Sequence, residues 1–141
     1  ELVRTLGAVR YYNDSIASSP SRTIAGLRCF PEKVILIAGG YDKHIPFDTL
    51  GPEIVAHVKK LFLTGATAEK IRAAVEAAPN YAPGRPEIAQ IDDFQDAVMA
   101  AHWAAEPGDV VLLSPAGAAF DKFKNFMERG ETFKRIVNEL K

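Results

Sequence analysis

The apolar positions of this chain alternate between two rhythms. Val34 to Ala38 and Val110 to Leu113 are short, β-prone and apolar throughout, as strands covered on both faces of a parallel sheet are. Other segments repeat at helical spacing: Ile71, Ala74, Val75 and Ala78, then Phe94, Ala97, Val98 and Ala101, then Phe133, Ile136, Val137 and Leu140. Taken in order, the pattern predicts a strand over Ala8 to Tyr12 and a helix opened by Ser18-Ser19-Pro20-Ser21, with serine capping, running to about Leu27. Phe30-Pro31-Glu32 turns into the strand Val34 to Ala38. A helix over Phe47 to Ala56 and a weakly alternating strand over His57 to Leu63 follow. Thr67-Ala68-Glu69-Lys70 opens the next helix, Asn80 to Glu87 is a surface connection, and Ile88 to Ile91 is a short strand. Asp92-Asp93 places negative charge at the start of the helix bearing the Phe94 face and Trp103, both expected in the core. Glu106 to Asp109 turns the chain into Val110 to Leu113, which stops at Ser114-Pro115. Strands alternating with helices imply right-handed crossovers. The expected fold is a Rossmann-like α/β domain of about six strands, its mostly parallel sheet covered by helices on both faces.

Composition narrows the class without changing the fold. The 141 residues suffice for one well-buried core and not for two ordinary domains, so a single domain spanning 1–141 is expected. A net charge of −1 offers no basic field to nucleic acid. No apolar run approaches the roughly 20 residues of a membrane-spanning helix. Cys29, the one cysteine, makes neither an internal disulfide nor a metal cluster and suits a reducing cytoplasm. The chain opens Glu1-Leu2-Val3 without an initiator methionine, as a piece cut from a longer protein does.

Candidate chemistry lies in three polar loops, Asn13 to Ser19, Gly39 to Lys43 and Ser114 to Phe126, each following a predicted strand. In a parallel sheet the carboxyl ends of such strands share one edge, so the loops can face one crevice. Lys43 and the N–H groups at helix starts suit an anion, and Asp14 suits a hydroxyl-bearing ligand such as a ribose. The same residues fit plainer roles: Asp14 a turn or cap, Lys43 a solvated charge, Ser18 a cap. His44, His57 and His102 lack metal-ligand spacing and read as surface or half-buried histidines. The phosphate loop G-x-x-x-x-G-K-[ST] is absent, as are G-x-G-x-x-G, H-E-x-x-H and G-x-S-x-G.

At these loops the sequence resembles a known family. Tyr12-Asn13-Asp14-Ser15-Ile16-Ala17-Ser18, Ile37-Ala38-Gly39-Gly40-Tyr41-Asp42-Lys43, and Leu113-Ser114-Pro115-Ala116 through Phe120-Asp121-x-Phe123-Lys124-Asn125-Phe126-x-x-Arg129-Gly130 look like the C-terminal, amino-acid-binding domain of the Mur ligases, its D-glutamate-adding members above all. The likeness runs nearly the whole chain in order. It implies an ATP-dependent ligase of cytoplasmic peptidoglycan synthesis that joins D-glutamate to UDP-N-acetylmuramoyl-L-alanine through an acyl phosphate. In such enzymes a first domain holds the UDP-sugar. A central domain carries the phosphate loop, a carbamylated lysine and the Mg2+ ligands, and so binds most of the ATP. Neither domain is expected within these residues, and this domain alone is expected to be inactive. Carried over by position, Asn13 and Asp14 fall at the nucleotide, Asp14 on its ribose. Ser18, Lys43 and the backbone of Phe126 fall at D-glutamate. Two positions depart from the pattern: Ile16 stands where relatives often have lysine, and Ala119 where they often have serine. The alternative is a stand-alone Rossmann-like module that binds a nucleotide or small anion without catalysis.

Overall fold

The computed structural model describes residues 1–120 and 122–141; Asp121, part of the aromatic and basic run, lies outside them. Six strands, β1 (Leu2–Leu6), β2 (Val9–Asn13), β3 (Val34–Ala38), β4 (Val58–Leu63), β5 (Glu87–Gln90) and β6 (Val110–Leu113), form one sheet in the order β1-β2-β6-β3-β4-β5. Only β1 is antiparallel to its neighbour; β2, β6, β3, β4 and β5 run parallel. The helices are α1 (Pro20–Leu27), α2 (Leu50–His57), α3 (Ala68–Glu76), α4 (Phe94–Ala104) and α5 (Phe126–Glu139).

Alternation along β3 divides the core in two. Val34, Leu36 and Ala38 face one cluster with Leu27, Leu50, Ile54, Ile71 and Val75 of α1, α2 and α3. Ile35 and Ile37 face the other, with Phe94, Val98, Phe133 and Val137 of α4 and α5. Every residue of β3 is at most 1% exposed. Each such aliphatic side chain contributes about 1.5–3 kcal/mol by leaving water. The continuous apolar runs of β3 and β6 are therefore those of central strands with helices on both sides.

The expected fold is present, with four local differences. β1 is not among the expected strands; Leu2 and Thr5 are exposed and the rest only half-buried, and a register shift between Leu2 and Arg4 breaks the period-two alternation that would mark a strand. α2 begins at Leu50 rather than Phe47, which packs into the core ahead of the helix. Ser19 occupies the N-cap position of α1 without a side-chain capping bond, so the serine cap does not form. Trp103 is 75% exposed, because the buried face of α4 is Phe94, Ala97, Val98 and Ala101 and position 103 lies off it. Among the described residues no helix is long and apolar enough to cross a membrane.

Candidate functional site

β2, β6 and β3 are consecutive in the sheet and parallel, so the loops leaving their carboxyl ends rise side by side. Backbone bonds lace them together. The Ala116 N–H donates to the Ala17 carbonyl at 2.9 Å, the Gly39 N–H to Pro115 O at 2.8 Å and the Tyr41 N–H to Ala118 O at 2.8 Å. The approach is close enough to demand glycine: a Cβ on Gly39 would lie 1.8 Å from the Thr64 carbonyl oxygen, and one on Gly40 2.5 Å from that of Ala118. The Gly39-Gly40 pair thus lets the loop after β3 pass close to Thr64 just after β4 and to Ala118 in the loop after β6.

Arg129 of α5 locks two of these loops from beneath. Its Nη2 donates to Ser15 O at 2.7 Å, Nε to Ser15 Oγ at 2.9 Å and Nη1 to Gly117 O at 2.9 Å, and the residue is 2% exposed. A planar guanidinium supplies these donors in fixed directions, so the first and last loops are held at a set spacing. Ser15 Oγ in turn donates to the Phe126 carbonyl at 2.7 Å.

Above this clamp lies a cleft of about 450 Å³ lined by Ile16, Ser18, Arg22, Lys43, Ala119 and Phe126 among others. Three of the residues expected at an amino-acid ligand, Ser18, Lys43 and Phe126, are therefore brought together. Lys43 is presented from a braced loop. Asp42 pairs with Lys70 of α3 and accepts from the His44 N–H at 2.7 Å. The Lys70 hydrogen bond, reinforced by that of His44, holds the Asp42 carboxyl below its ordinary value. Among the described residues the side chains of Ser18 and Lys43 have no hydrogen bond or ion pair, and both open on the cleft. Phe126 is the first residue of α5, where an N–H has no intrahelical acceptor. Asn125 caps that end by accepting from the Glu128 N–H at 2.9 Å. Ile16 and Ala119 border the same cleft, one bringing no charge and the other no hydroxyl.

Asn13 and Asp14 sit on the same sheet edge, outside the residues that line the cleft. Asn13 Oδ1 accepts from the Ser15 N–H at 3.0 Å, and Nδ2 reaches Glu1 Oε1 at 3.5 Å. Asp14 Oδ2 accepts from Ser114 Oγ at 2.8 Å, beneath α1, where a Cβ on Gly26 would come within 2.6 Å of the same oxygen. Burial raises the Asp14 pKa, against the lowering effects of the Ser114 bond, the chain's amino terminus and Arg22. One carboxylate oxygen of Asp14 is thus committed to the fold, and among the described residues the other has no hydrogen bond. Among the described residues no group of three or more His, Cys, Asp or Glu is placed to hold a metal ion. A second cleft, of about 440 Å³, lies between the 44–48 loop and α3, but its lysine, Lys70, is already paired with Asp42.

Sequence reasoning assigned no role to Arg22, Ser114 or Arg129. A signal existed for Arg129: it lies four residues before Phe133 on the apolar stripe of α5, and a charge on a buried face must satisfy buried acceptors. Ser114 read as a strand terminator, and its hydroxyl gave no sign of the Asp14 carboxylate a hundred residues away.

Known proteins resemble this chain in sequence and in fold. The family model described as Mur ligase, glutamate ligase domain, matches residues 1–117. UDP-N-acetylmuramoylalanine--D-glutamate ligase of Acetivibrio thermocellus is 54% identical over 142 residues, covering 99% of this chain and 30% of that protein. The same-named protein of Ruminiclostridium cellulolyticum is 53% identical, covering 100% of this chain and 31% of its own length. This chain therefore spans about a third of the curated relatives it matches. Among solved structures, a UDP-N-acetylmuramoyl-L-alanyl-D-glutamate--2,6-diaminopimelate ligase aligns with a TM-score of 0.65 at 14% identity, over 99% of this chain and 32% of that one. A murein peptide ligase of Psychrobacter arcticus aligns at 0.63 and 16%, over 100% and 30%. At these identities the structural likeness speaks for the fold, while the sequence matches carry the lineage. The chain belongs to the Mur ligase family, as its glutamate ligase domain.

Proposed function

We propose that this chain is the amino-acid-binding domain of an ATP-dependent ligase that joins D-glutamate to UDP-N-acetylmuramoyl-L-alanine. The names of its half-identical relatives support the reaction. One observation carries the site: Ser18 and Lys43, from loops far apart in sequence, open unengaged onto one cleft with the start of α5. In this reading Lys43 pairs with a carboxylate of D-glutamate, Ser18 donates to a carboxylate, and the Phe126 backbone completes the contact. Asn13 and Asp14 serve the nucleotide, Asp14 with its free oxygen on the ribose. Mg2+ and most of the ATP belong to a further domain of the same protein, which carries the phosphate loop, and the UDP-sugar to another. When bound, ATP supplies the phosphoryl group that activates the acceptor carboxylate.

The domain's own work is to bind and orient. It holds the amine of D-glutamate toward the activated carboxyl carbon and closes over the other substrates. As the C–N bond forms, the bond from that carbon to the phosphate oxygen breaks, phosphate leaves with the electron pair, and the amine proton passes to solvent. Without its companions the domain performs no ligation.

The test is Lys43→Ala in the full-length protein. Losing a charge-assisted hydrogen bond raises the KM for D-glutamate by about tenfold to a hundredfold. L-alanine and L-lysine, offered in place of D-glutamate, are not used. An unchanged KM for D-glutamate would leave the domain as a binding module for another anion.

A further inference from the structure

Lys43 is not the only basic side chain on the amino-acid cleft. Arg22, in the first turn of α1, lines it from the strand end next to that of the central strand β6, opposite the loop that carries Lys43. Among the described residues the Arg22 side chain has no hydrogen bond or ion pair, and its charge lowers the pKa of Asp14 through space. Asp14 makes no ion pair with it: the Asp14 carboxylate accepts from the Ser114 hydroxyl and does not line the cleft. Among the described residues no acidic side chain lines the cleft, whose walls present two basic groups, the hydroxyls of Ser18 and Ser19, the Asn125 amide and otherwise apolar surface.

That charge pattern matches one form of one class of ligand. An amine attacks only as the free base, so the reactive form of an acidic amino acid carries two carboxylates and no ammonium. A single lysine leaves one of those carboxylates uncompensated in a partly desolvated cleft, which is costly. A second cation on the facing wall removes that cost. It also rejects the uncharged amide analogue, which leaves the guanidinium without its partner.

We infer that Arg22 is a specificity-determining residue of the cleft, engaging one carboxylate of a dicarboxylic amino acid while Lys43 engages the other. This rests on the function proposed above. It also accounts for the apolar residue at position 16: the second positive charge is carried one turn into α1, and Ile16 becomes part of the cleft wall.

The test uses the full-length protein with D-glutamate, D-glutamine and ATP varied in turn, in parent, Arg22→Ala, Arg22→Lys, Arg22→Gln and Lys43→Ala forms. Arg22 is exposed at the helix surface, so these substitutions leave the core untouched. The expected result is a rise of about tenfold to a hundredfold in the KM for D-glutamate in Arg22→Ala. Arg22→Gln behaves like it, Arg22→Lys recovers part of the loss, and preference for D-glutamate over D-glutamine falls by a similar factor. The KM for ATP moves less than twofold. A D-glutamate KM within twofold of the parent in Arg22→Ala, alongside a large rise in Lys43→Ala, overturns the role of Arg22 and leaves the domain's function standing. A rise confined to the KM for ATP also overturns it, placing Arg22 at the nucleotide. No response from either residue overturns both readings.

Discussion

At the scale of single residues the most informative side chain is Asp14, because it serves the fold and is proposed to serve the nucleotide as well. Its burial beneath α1 disfavours the ionised form and lifts its pKa above the ordinary 3.8. The folded chain therefore holds that proton more tightly than the unfolded chain does. Stability falls as pH rises from the ordinary value through the raised one, and the cost is fully present at neutral pH. Asp14→Asn keeps an oxygen for the Ser114 hydroxyl and removes the charge. Thermal melts are expected to show the variant more stable than the parent at neutral pH and the gap closing below the ordinary carboxylate range. A gap of the same size at both ends would mean that something other than ionisation sets it. Polar residues between a strand end and a helix start, such as Asn13, Asp14, Ser18 and Lys43, stand out in a bare sequence because few packing roles explain them there. Ser114 and Arg129 stood in the family-like motif without a role and Arg22 stood outside it, since what each does depends on which distant backbone or carboxylate lies opposite, and only the folded chain supplies that.

At the scale of elements, α5 joins cleft to core. Its first residue lines the cleft, while Phe133, Ile136 and Val137 anchor it to the sheet. Its far end is tied to β1 by Arg4, whose Nη1 donates to Val137 O at 2.9 Å and Leu140 O at 2.8 Å. The Asn125 cap fixes where the helix begins. Asn125→Ala is expected to cost about 0.5–2 kcal/mol in denaturant unfolding. The KM for D-glutamate should rise with it as the first turn frays; a loss of stability with unaltered KM would separate the cap from the ligand. The helices and central strands were readable because their apolar spacing is dictated by the layers that cover them. β1 was not: an edge strand packs on few neighbours, and the register shift after Leu2 scrambles the little alternation it has.

At the scale of the whole molecule, the three loops act as one body because Arg129 and the backbone bonds between them leave little room to slide. Arg129→Lys keeps the charge and loses the fork, so the carbonyls of Ser15 and Gly117 no longer share a donor group. The variant is expected to lose about 1–3 kcal/mol of stability and to bind both D-glutamate and ATP more weakly. A change in one KM alone would argue that the loops move independently. The overall architecture was predictable from alternating strands and helices, and so was a shared edge for the loops of Ser18, Lys43 and Phe126; the strand order adds which strands stand side by side beneath them. That order has a further consequence. β6 is the last strand to be made, yet it sits between β2 and β3, which do not touch each other without it. Until the ribosome has released residues 110 to 113, the nascent chain holds two half-sheets with raw facing edges, the kind of surface that recruits strangers. The cleft and the protection against aggregation are completed by the same late insertion.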